Sequence, residues 1–420
     1  MGKTLIVGAG VVGLMCAYEL HKRGDRVMIV DQGAPGAECS SGNAGWIVPS
    51  HAEPLPGPGL AWASMKSLCV PASALTVRRT LQPAMWRWLW SFWRHCNARA
   101  HHAGAEALAA LARPTMDLYD RLAVDGVHFD MARSGVLWIF VSQASLDATM
   151  NRLEAMPDGT AHVEVVSGTA LRQAEPALSG ELAGGVLIKT ERYLRPEAFT
   201  AALLSRLQAW GVEIRPGVRV IGLQRIGPRI TGVVTEAGTL AADNVLIAAG
   251  VWSGTLLRQV GLRLPMRAAK GYSITIQHPA LHLRRPLYLA ETKIACSPFR
   301  DALRIAGTVD LSAIDSTIDP RRVAAMRHTV GKYLEGWDRG AAETTWMGMR
   351  PIVPDGLPVI GRIPGYDNLY VATGHAKLGI TLAPATAVAI ADLMSTGQTP
   401  VALRPFNPNR FSPGPRPDPA

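Results

Sequence analysis

The chain has 420 residues, of which 48% are hydrophobic and 18% charged, with a formal net charge of +10. That length can bury a large core and accommodate two domains. The positive excess favours contact with anionic molecules, but no basic run interleaves with aromatics, which speaks against a nucleic-acid module. The five cysteines, at 16, 39, 69, 96 and 296, form no CxxC pair, which argues against a disulfide framework and a structural zinc site and fits a reducing compartment. No metal is expected.

The apolar stretch 5–17 carries glycines and lacks a small-residue cleavage pattern, and no run reaches the roughly 18 consecutive apolar residues of a membrane span. A cytoplasmic protein is expected, or one peripheral to the inner face of the cytoplasmic membrane. Residues 4–7 (TLIV) predict a short strand, followed by Gly8-Ala9-Gly10-Val11-Val12-Gly13, a helix over 14–22 and a second strand over 26–30 that ends at Asp31. Each part has a physical task in holding a dinucleotide. Gly8 permits the tight turn, Gly10 lets a pyrophosphate approach the backbone, and Gly13 lets helix and strand pack closely. The phosphate charge then meets a helix N-terminus. Asp31, eighteen positions after Gly13, suits a ribose hydroxyl and disfavours a 2′-phosphate. No second GxGxxG follows, so the nucleotide is either a consumed NAD or a resident FAD reduced by an organic substrate.

Downstream, residues 40–46 (SSGNAGW) are small and polar, as suits backbone passing close to a flat cofactor. Residues 85–94 (MWRWLWSFWR) predict a helix whose apolar side is too wide for a one-sided surface helix. A core-covering helix is the default reading; a membrane-docking face, with Arg87 and Arg94 near anionic lipid, is the alternative. Further elements are a helix over 105–122, a strand over 136–141, a helix over 197–210 and a buried parallel strand over 245–250 (VLIAAG) ending at Gly250. Lys270-Gly271-Tyr272-Ser273 lies between strand-like 264–268 and 274–276, and a final helix runs from 378 to about 394 with Pro384 in its first turn. The prolines after Arg404 predict an extended, disordered tail.

The stretches SSGNAGWIVPS, KGYS, Glu291-Thr292-Lys293, Trp346-Met347-Gly348-Met349-Arg350-Pro351, Asp355-Gly356-Leu357-Pro358-Val359-Ile360-Gly361 and TGHAKLGIT (373–381) resemble the D-amino-acid oxidase superfamily of FAD enzymes. The resemblance runs from about residue 3 to 406 and is greatest to the small-subunit type of D-amino-acid dehydrogenase, including the branch that oxidises D-proline and cis-4-hydroxy-D-proline. Residues 46–51 and 191–195 depart from the general D-alanine type and lean toward the proline-derived branch.

The resemblance implies an α/β fold: a Rossmann-type FAD-binding domain (1–65, 160–262, 345–406) interleaved with an α+β substrate domain (66–159, 263–344) on a mostly antiparallel sheet, with a tail over 407–420. It implies that Arg350 clamps the substrate carboxylate, since a guanidinium suits that bidentate contact. Tyr272 is either a second carboxylate partner or a core residue. Lys293, Trp46, Ser50 and His51 are candidates for the pocket wall. Beyond the glycine turn and Asp31, FAD contacts are expected from Ser41, Asn43, Ala44, Gly45, Val220, Gly250, Gly374, His375, Leu378, Gly379, Ile380 and Thr381. His375 belongs to the flavin-contacting turn, and no residue is assigned as acid or base. The implied chemistry is oxidative deamination of a small D-amino acid by hydride transfer from Cα to flavin N5, with electrons passed to a quinone or other non-oxygen acceptor. An oxidase of the same fold, and a non-catalytic FAD-binding protein, are the alternatives.

Overall fold

A computed structural model describes residues 2–59, 75–77, 83–154, 162–312 and 314–411. Two large sheets organise them. The first has six strands in the order Glu213–Arg215, Arg26–Val30, Lys3–Val7, Asn244–Ile247, Leu369–Thr373, Val359–Arg362. All neighbours are parallel except the last pair. Its central strands are apolar throughout because both faces are covered. Helices Val11–Lys22 and Gly379–Thr396 pack on one face, and a three-stranded antiparallel sheet (Val220–Ile226, Arg229–Thr235, Gly238–Ala241) lies toward the other. Helix Gly379–Thr396 is long and apolar enough to cross a membrane, yet it is mostly buried in this core.

The second sheet has nine strands and is mostly antiparallel. Its edge runs Ala342–Ile352, Arg267–Gln277, Ala302–Ser312, Ile294–Phe299, and it continues through Leu287–Leu289, Val136–Phe140, Gly184–Ile188 and Val163–Ser167. Strand Leu75–Val77 pairs with Ala302–Ser312.

Several expectations are corrected. Strands Val163–Ser167 and Gly184–Ile188 belong to the large sheet, as does Ala342–Ile352, so the stretches beginning at 160 and 345 do not start in the nucleotide sheet. The boundary expected near residue 65 lies outside the described residues. The helix expected over 105–122 is two helices, Ala98–Ala112 and Thr115–Val124. Pro114, lacking an N–H and clashing with the preceding turn, separates them. KGYS sits inside one continuous strand, Arg267–Gln277. Residues 404–411 are ordered: Leu403 and Phe406 are fully buried, and Arg410 pairs with Asp355 at 2.8 Å and donates to the carbonyls of Leu357 and Pro358. The remainder of the expected tail, 412–420, lies outside the described residues.

Helix Pro83–His95 divides its aromatics between two faces. Met85, Trp88 and Phe92 are buried, with Trp88 Nε1 donating to Pro265 O at 2.7 Å. Trp86, Trp90 and Trp93 are 64%, 60% and 53% exposed. The helix therefore covers core on one side only, and its apolar breadth reflects an aromatic face turned outward.

Candidate active site

A cavity of about 300 Å³ opens at the carboxyl ends of the nucleotide-sheet strands. Asp31, Val220, Arg350, Lys377 and Ile380 are among the residues that line it. Gly8, at φ +111°, turns the chain out of the first strand, and a β-carbon there would stand 2.5 Å from Ala248 O. A β-carbon on Gly13 would reach within 1.9 Å of Gly8 O, so only glycine lets the helix begin this close to the strand. The N-cap of helix Val11–Lys22 is Gly10, which has no side chain to cap it, and no acid lies in its first turn; Ser40 Oγ takes only the first N–H, so the positive end stays open to an external anion. Asp31 accepts from Ala9 N at 2.7 Å and Gly33 N at 2.8 Å, holding the turn while it lines the cavity. A cavity that holds a helix N-terminus without acid in its first turn, a glycine cradle and an acid beyond the second strand fits FAD.

Of the expected cofactor contacts, Gly8, Gly10, Val11, Val12, Asp31, Asn43, Val220, Gly250, His375, Gly379 and Ile380 line the cavity. Gly13, Ser41, Ala44, Gly45, Gly374, Leu378 and Thr381 do not. Ser41 Oγ donates to Ala37 O and Glu38 O, and Ala44 O accepts from Ser297 Oγ. Gly45 lies so close to Leu194 O that a β-carbon would clash at 1.9 Å. Thr381 Oγ1 accepts from Val48 N and donates to Trp46 O. These residues fix the walls rather than face the cavity. Ser40, which the sequence did not single out, accepts from Val11 N at 2.9 Å and lines the cavity. Which of two adjacent serines turns inward is decided by the loop's tertiary path, and sequence carries no sign of it.

Arg350 lies across Gly271: a β-carbon on Gly271 would be 2.3 Å from the guanidinium carbon. Its Nη1 donates to Thr308 O at 2.8 Å. Thr308 has φ +62°, unusual for a β-branched residue, and sits at a bulge where pairing shifts between Lys270 and Tyr272. The bulge turns the Thr308 carbonyl toward the guanidinium. Burial lowers the Arg350 pKa from its ordinary value, with Cys39 opposing. Tyr272 follows Gly271 and therefore projects from the opposite face of the strand. It is 1% exposed, packed in the core behind the sheet with Ile274 and Leu287. Of its two readings the core one holds, and a second contact to a carboxylate on Arg350 is ruled out.

A second group gathers around Tyr288. The His51 ring sits 5.0 Å from Trp138 and 5.3 Å from Tyr288, and Trp46 lies 5.9 Å from Tyr288. Lys293 Nζ is 5.8 Å from the centre of the Tyr288 ring. Ser50 Oγ donates to Glu191 Oε1, while Glu191 Oε2 is buried without a hydrogen-bond partner. Desolvation pushes the Glu191 pKa up to about 8 and holds the His51 pKa well below the usual histidine range. Lys377, also missed in the sequence, lines the cavity with Arg350. Burial lowers its pKa to about 8, with Glu53 opposing and the cations of Lys293, Arg152 and Arg350 adding to the fall. A charged residue inside GHAKLGI was the available signal. His375 is 4% exposed, with Nε2 3.0 Å from Thr386 Oγ1, and burial lowers its pKa to about 4. It is neutral at physiological pH. Among the described residues, no cluster of three or more His, Cys, Asp or Glu could hold a metal ion.

The chain belongs to the DAO family of FAD dependent oxidoreductases, whose model matches residues 3–393. Its relatives narrow the class. A D-amino acid dehydrogenase of Bradyrhizobium diazoefficiens is 32% identical over 418 residues, covering 98% of this chain and 99% of the relative. A D-amino acid dehydrogenase of Cereibacter sphaeroides is 34% identical over 407 residues, covering 95% and 92%. Among solved structures, glycine oxidase from Geobacillus kaustophilus superposes with a TM-score of 0.76 at 22% identity, covering 98% and 99% of the two chains. That likeness establishes the fold.

Proposed function

We propose that this chain is a D-amino acid dehydrogenase in which Arg350 holds the substrate carboxylate. The observation that carries the reading is a half-buried guanidinium that lines the FAD cavity, bonded to Thr308 O and with no acid partner among the described residues. The two relatives bear the same activity in their names. When bound, FAD would accept the hydrogen and electron pair that leave the substrate Cα. The chain supplies the rest. Arg350 orients the amino acid by its carboxylate, and the wall of His51, Trp46 and Tyr288 limits the room for its side chain and for water. Neutral His51 and His375 add no charge to the pocket.

D-proline and cis-4-hydroxy-D-proline are the finer reading that the sequence resemblance supports. The test is anaerobic addition of D-alanine, D-proline, cis-4-hydroxy-D-proline and their L-forms to the purified yellow protein. Bleaching by D-forms alone is expected, and a flavin that stays oxidised with every D-amino acid refutes the activity. In Arg350→Ala the KM should rise at least about tenfold with FAD retained, the loss of one charge-assisted pair. Re-oxidation by a quinone rather than by oxygen is the expected acceptor behaviour. The outward face of Trp86, Trp90 and Trp93, flanked by Arg87 and Arg94, supports delivery of electrons at an anionic membrane surface. Co-sedimentation with anionic vesicles that survives Trp86→Ser/Trp90→Ser would remove that support.

A further inference from the structure

Within the KGYS stretch, Lys270 precedes Gly271 and therefore points to the sheet face opposite Arg350. Its side chain is fully out of water. A buried ammonium is costly unless its donors are answered, and here three acceptors meet it. It donates to the Asp315 carboxylate, to Thr317 O at 3.0 Å and to Thr317 Oγ1 at 3.2 Å. Asp315 Oδ1 accepts in turn from Thr317 N at 3.0 Å, so residues 315–317 close around the ammonium.

This turn lies just beyond strand Ala302–Ser312, which makes the bulge behind Arg350. Tyr272 pairs with Gly307 and Lys270 with Asp310, so Thr308 and Val309 stand opposite the single residue Gly271. The strand changes its other partner at the same place. Pairing with Ile294–Phe299 ends at Ala306, and pairing with Leu75–Val77 begins at Val309. Gly307 and Thr308 have no strand partner on that side among the described residues. Thr308 Oγ1 is buried without a hydrogen bond, beside a cavity of about 180 Å³ that Thr308, Ile294 and Met326 help to line. Neither a neighbouring strand on that side nor its own hydroxyl therefore fixes Thr308. The direction of its carbonyl depends on φ +62°, and that conformation depends on both ends of the bulge keeping register.

Lys270 pins the far end. Its backbone pairs with Asp310 on one side and with Met349, the neighbour of Arg350, on the other, while its ammonium grips the chain that leaves the strand. A slip of that strand would carry the turn away and leave an ammonium unanswered in the core.

We propose that Lys270 is a positioning residue for the carboxylate clamp: by gripping turn 315–317 on the far face of the sheet, it holds the bulge that turns Thr308 O onto Arg350. This rests on Arg350 holding the substrate carboxylate, and it adds to that reading a residue that does not line the cavity.

A double-mutant cycle on the holoenzyme tests it. Butyrate, an unreactive carboxylate, is titrated by its shift of the flavin absorption band in the wild type, Lys270→Met, Arg350→Ala and the double variant. Methionine stays close to the unbranched shape of lysine and drops the charge. Lys270→Met should keep its FAD and weaken butyrate binding at least about tenfold, the worth of the charged bond from Arg350 to Thr308 O. In the Arg350→Ala background the same substitution should change butyrate affinity by less than about twofold, because no guanidinium is left to misplace. An equal loss in both backgrounds marks a general loosening of the fold and overturns the inference, as does a Lys270→Met that binds butyrate like the wild type. If Arg350→Ala itself binds butyrate normally, the clamp fails first and takes the inference with it. Should Lys270→Met not fold, Asp315→Ala, at a partly exposed position, takes its place in the cycle with the same expected outcomes.

Discussion

Gly271→Ala is the most direct probe of the proposed carboxylate clamp at Arg350. The added methyl would stand 2.3 Å from Cζ and Nη2 of Arg350 and 2.5 Å from Nη1, against 3.4 Å for ordinary contact. The strand cannot yield, because Gly271 is paired with Gly348 on one side and its neighbours with Asp310 and Gly307 on the other. The guanidinium must therefore withdraw by about 1 Å, which breaks its 2.8 Å bond to Thr308 O. Losing one charged hydrogen bond costs roughly 1.5–3 kcal/mol, a fall in kcat/KM of roughly tenfold to 150-fold. Gly271 is not at positive φ, so alanine fits its backbone, and reduced freedom of the unfolded chain offsets part of any strain by roughly 0.4–1 kcal/mol. The variant should thus keep its FAD and melt near the wild-type temperature while KM for D-amino acids rises. Steady-state kinetics, the visible spectrum and thermal melting read the three quantities separately. A folded, yellow Gly271→Ala with unchanged KM would show that the substrate does not rest on Arg350.

Other perturbations test the remaining parts. Glu191 has a folded pKa raised from 4.5 to about 8, so the stability associated with its protonated form is complete below pH 4.5 and is lost as pH rises through 8. Glu191→Gln, which mimics the neutral acid, should gain on the wild type in thermal melting as pH rises between those two values, by roughly 1.4 kcal/mol for each step of one in pH; a gap that does not change with pH refutes the assignment. Gly13→Ala places a β-carbon 1.9 Å from Gly8 O, so purified protein should lack FAD or fail to fold, and a full flavin complement would contradict the cradle. Phe406→Ala should destabilise by about 3–5 kcal/mol if the C-terminal segment is part of the core, as its complete burial requires; denaturant unfolding measures it.

The nucleotide end was legible because its signals are local. Gly8, Gly10, Gly13 and Asp31 each act on a neighbour fixed by a turn, a helix and a strand within 31 residues. Arg350 was legible through a motif of nearby residues. What failed depended on facing and on distant partners. Alternation in the strand around Gly271, AAKGYSITI, sets Tyr272 on the face of Ile274 and Ile276 and Gly271 on the face of Ser273 and Thr275, but nothing in that stretch says that Arg350, from a distant strand, lies over the second face. Lys377 acquires its setting from residues 53, 152, 293 and 350, none near it in sequence. The proline-rich end suggested disorder by composition, yet Leu403 and Phe406 anchor it in the core shared with helix Gly379–Thr396. Pro114 was available as a helix breaker, and the even apolar spacing around it hid the division.

The small residues of loop 40–45 have a second cause that composition alone could not give. Its small residues suggested clearance for a flat cofactor, and Gly42 meets something else. A β-carbon there would lie 2.2 Å from Cδ2 of Trp346, and one on Gly348 would lie 2.0 Å from Cη2 of the same ring. The indole is thus laid flat across two glycines, one in the loop that borders the nucleotide and one on the strand that carries Arg350. Arg304 Nη1 donates to Asn43 O at 3.1 Å and Ser297 Oγ to Ala44 O at 2.8 Å, adding two further ties from the large sheet. These contacts fix the separation between the FAD cavity and the guanidinium, on which oriented transfer from a bound amino acid depends. The glycines are there because a tryptophan must pass between them, and the active-site geometry is set by that insertion as much as by the turn that cradles the phosphates.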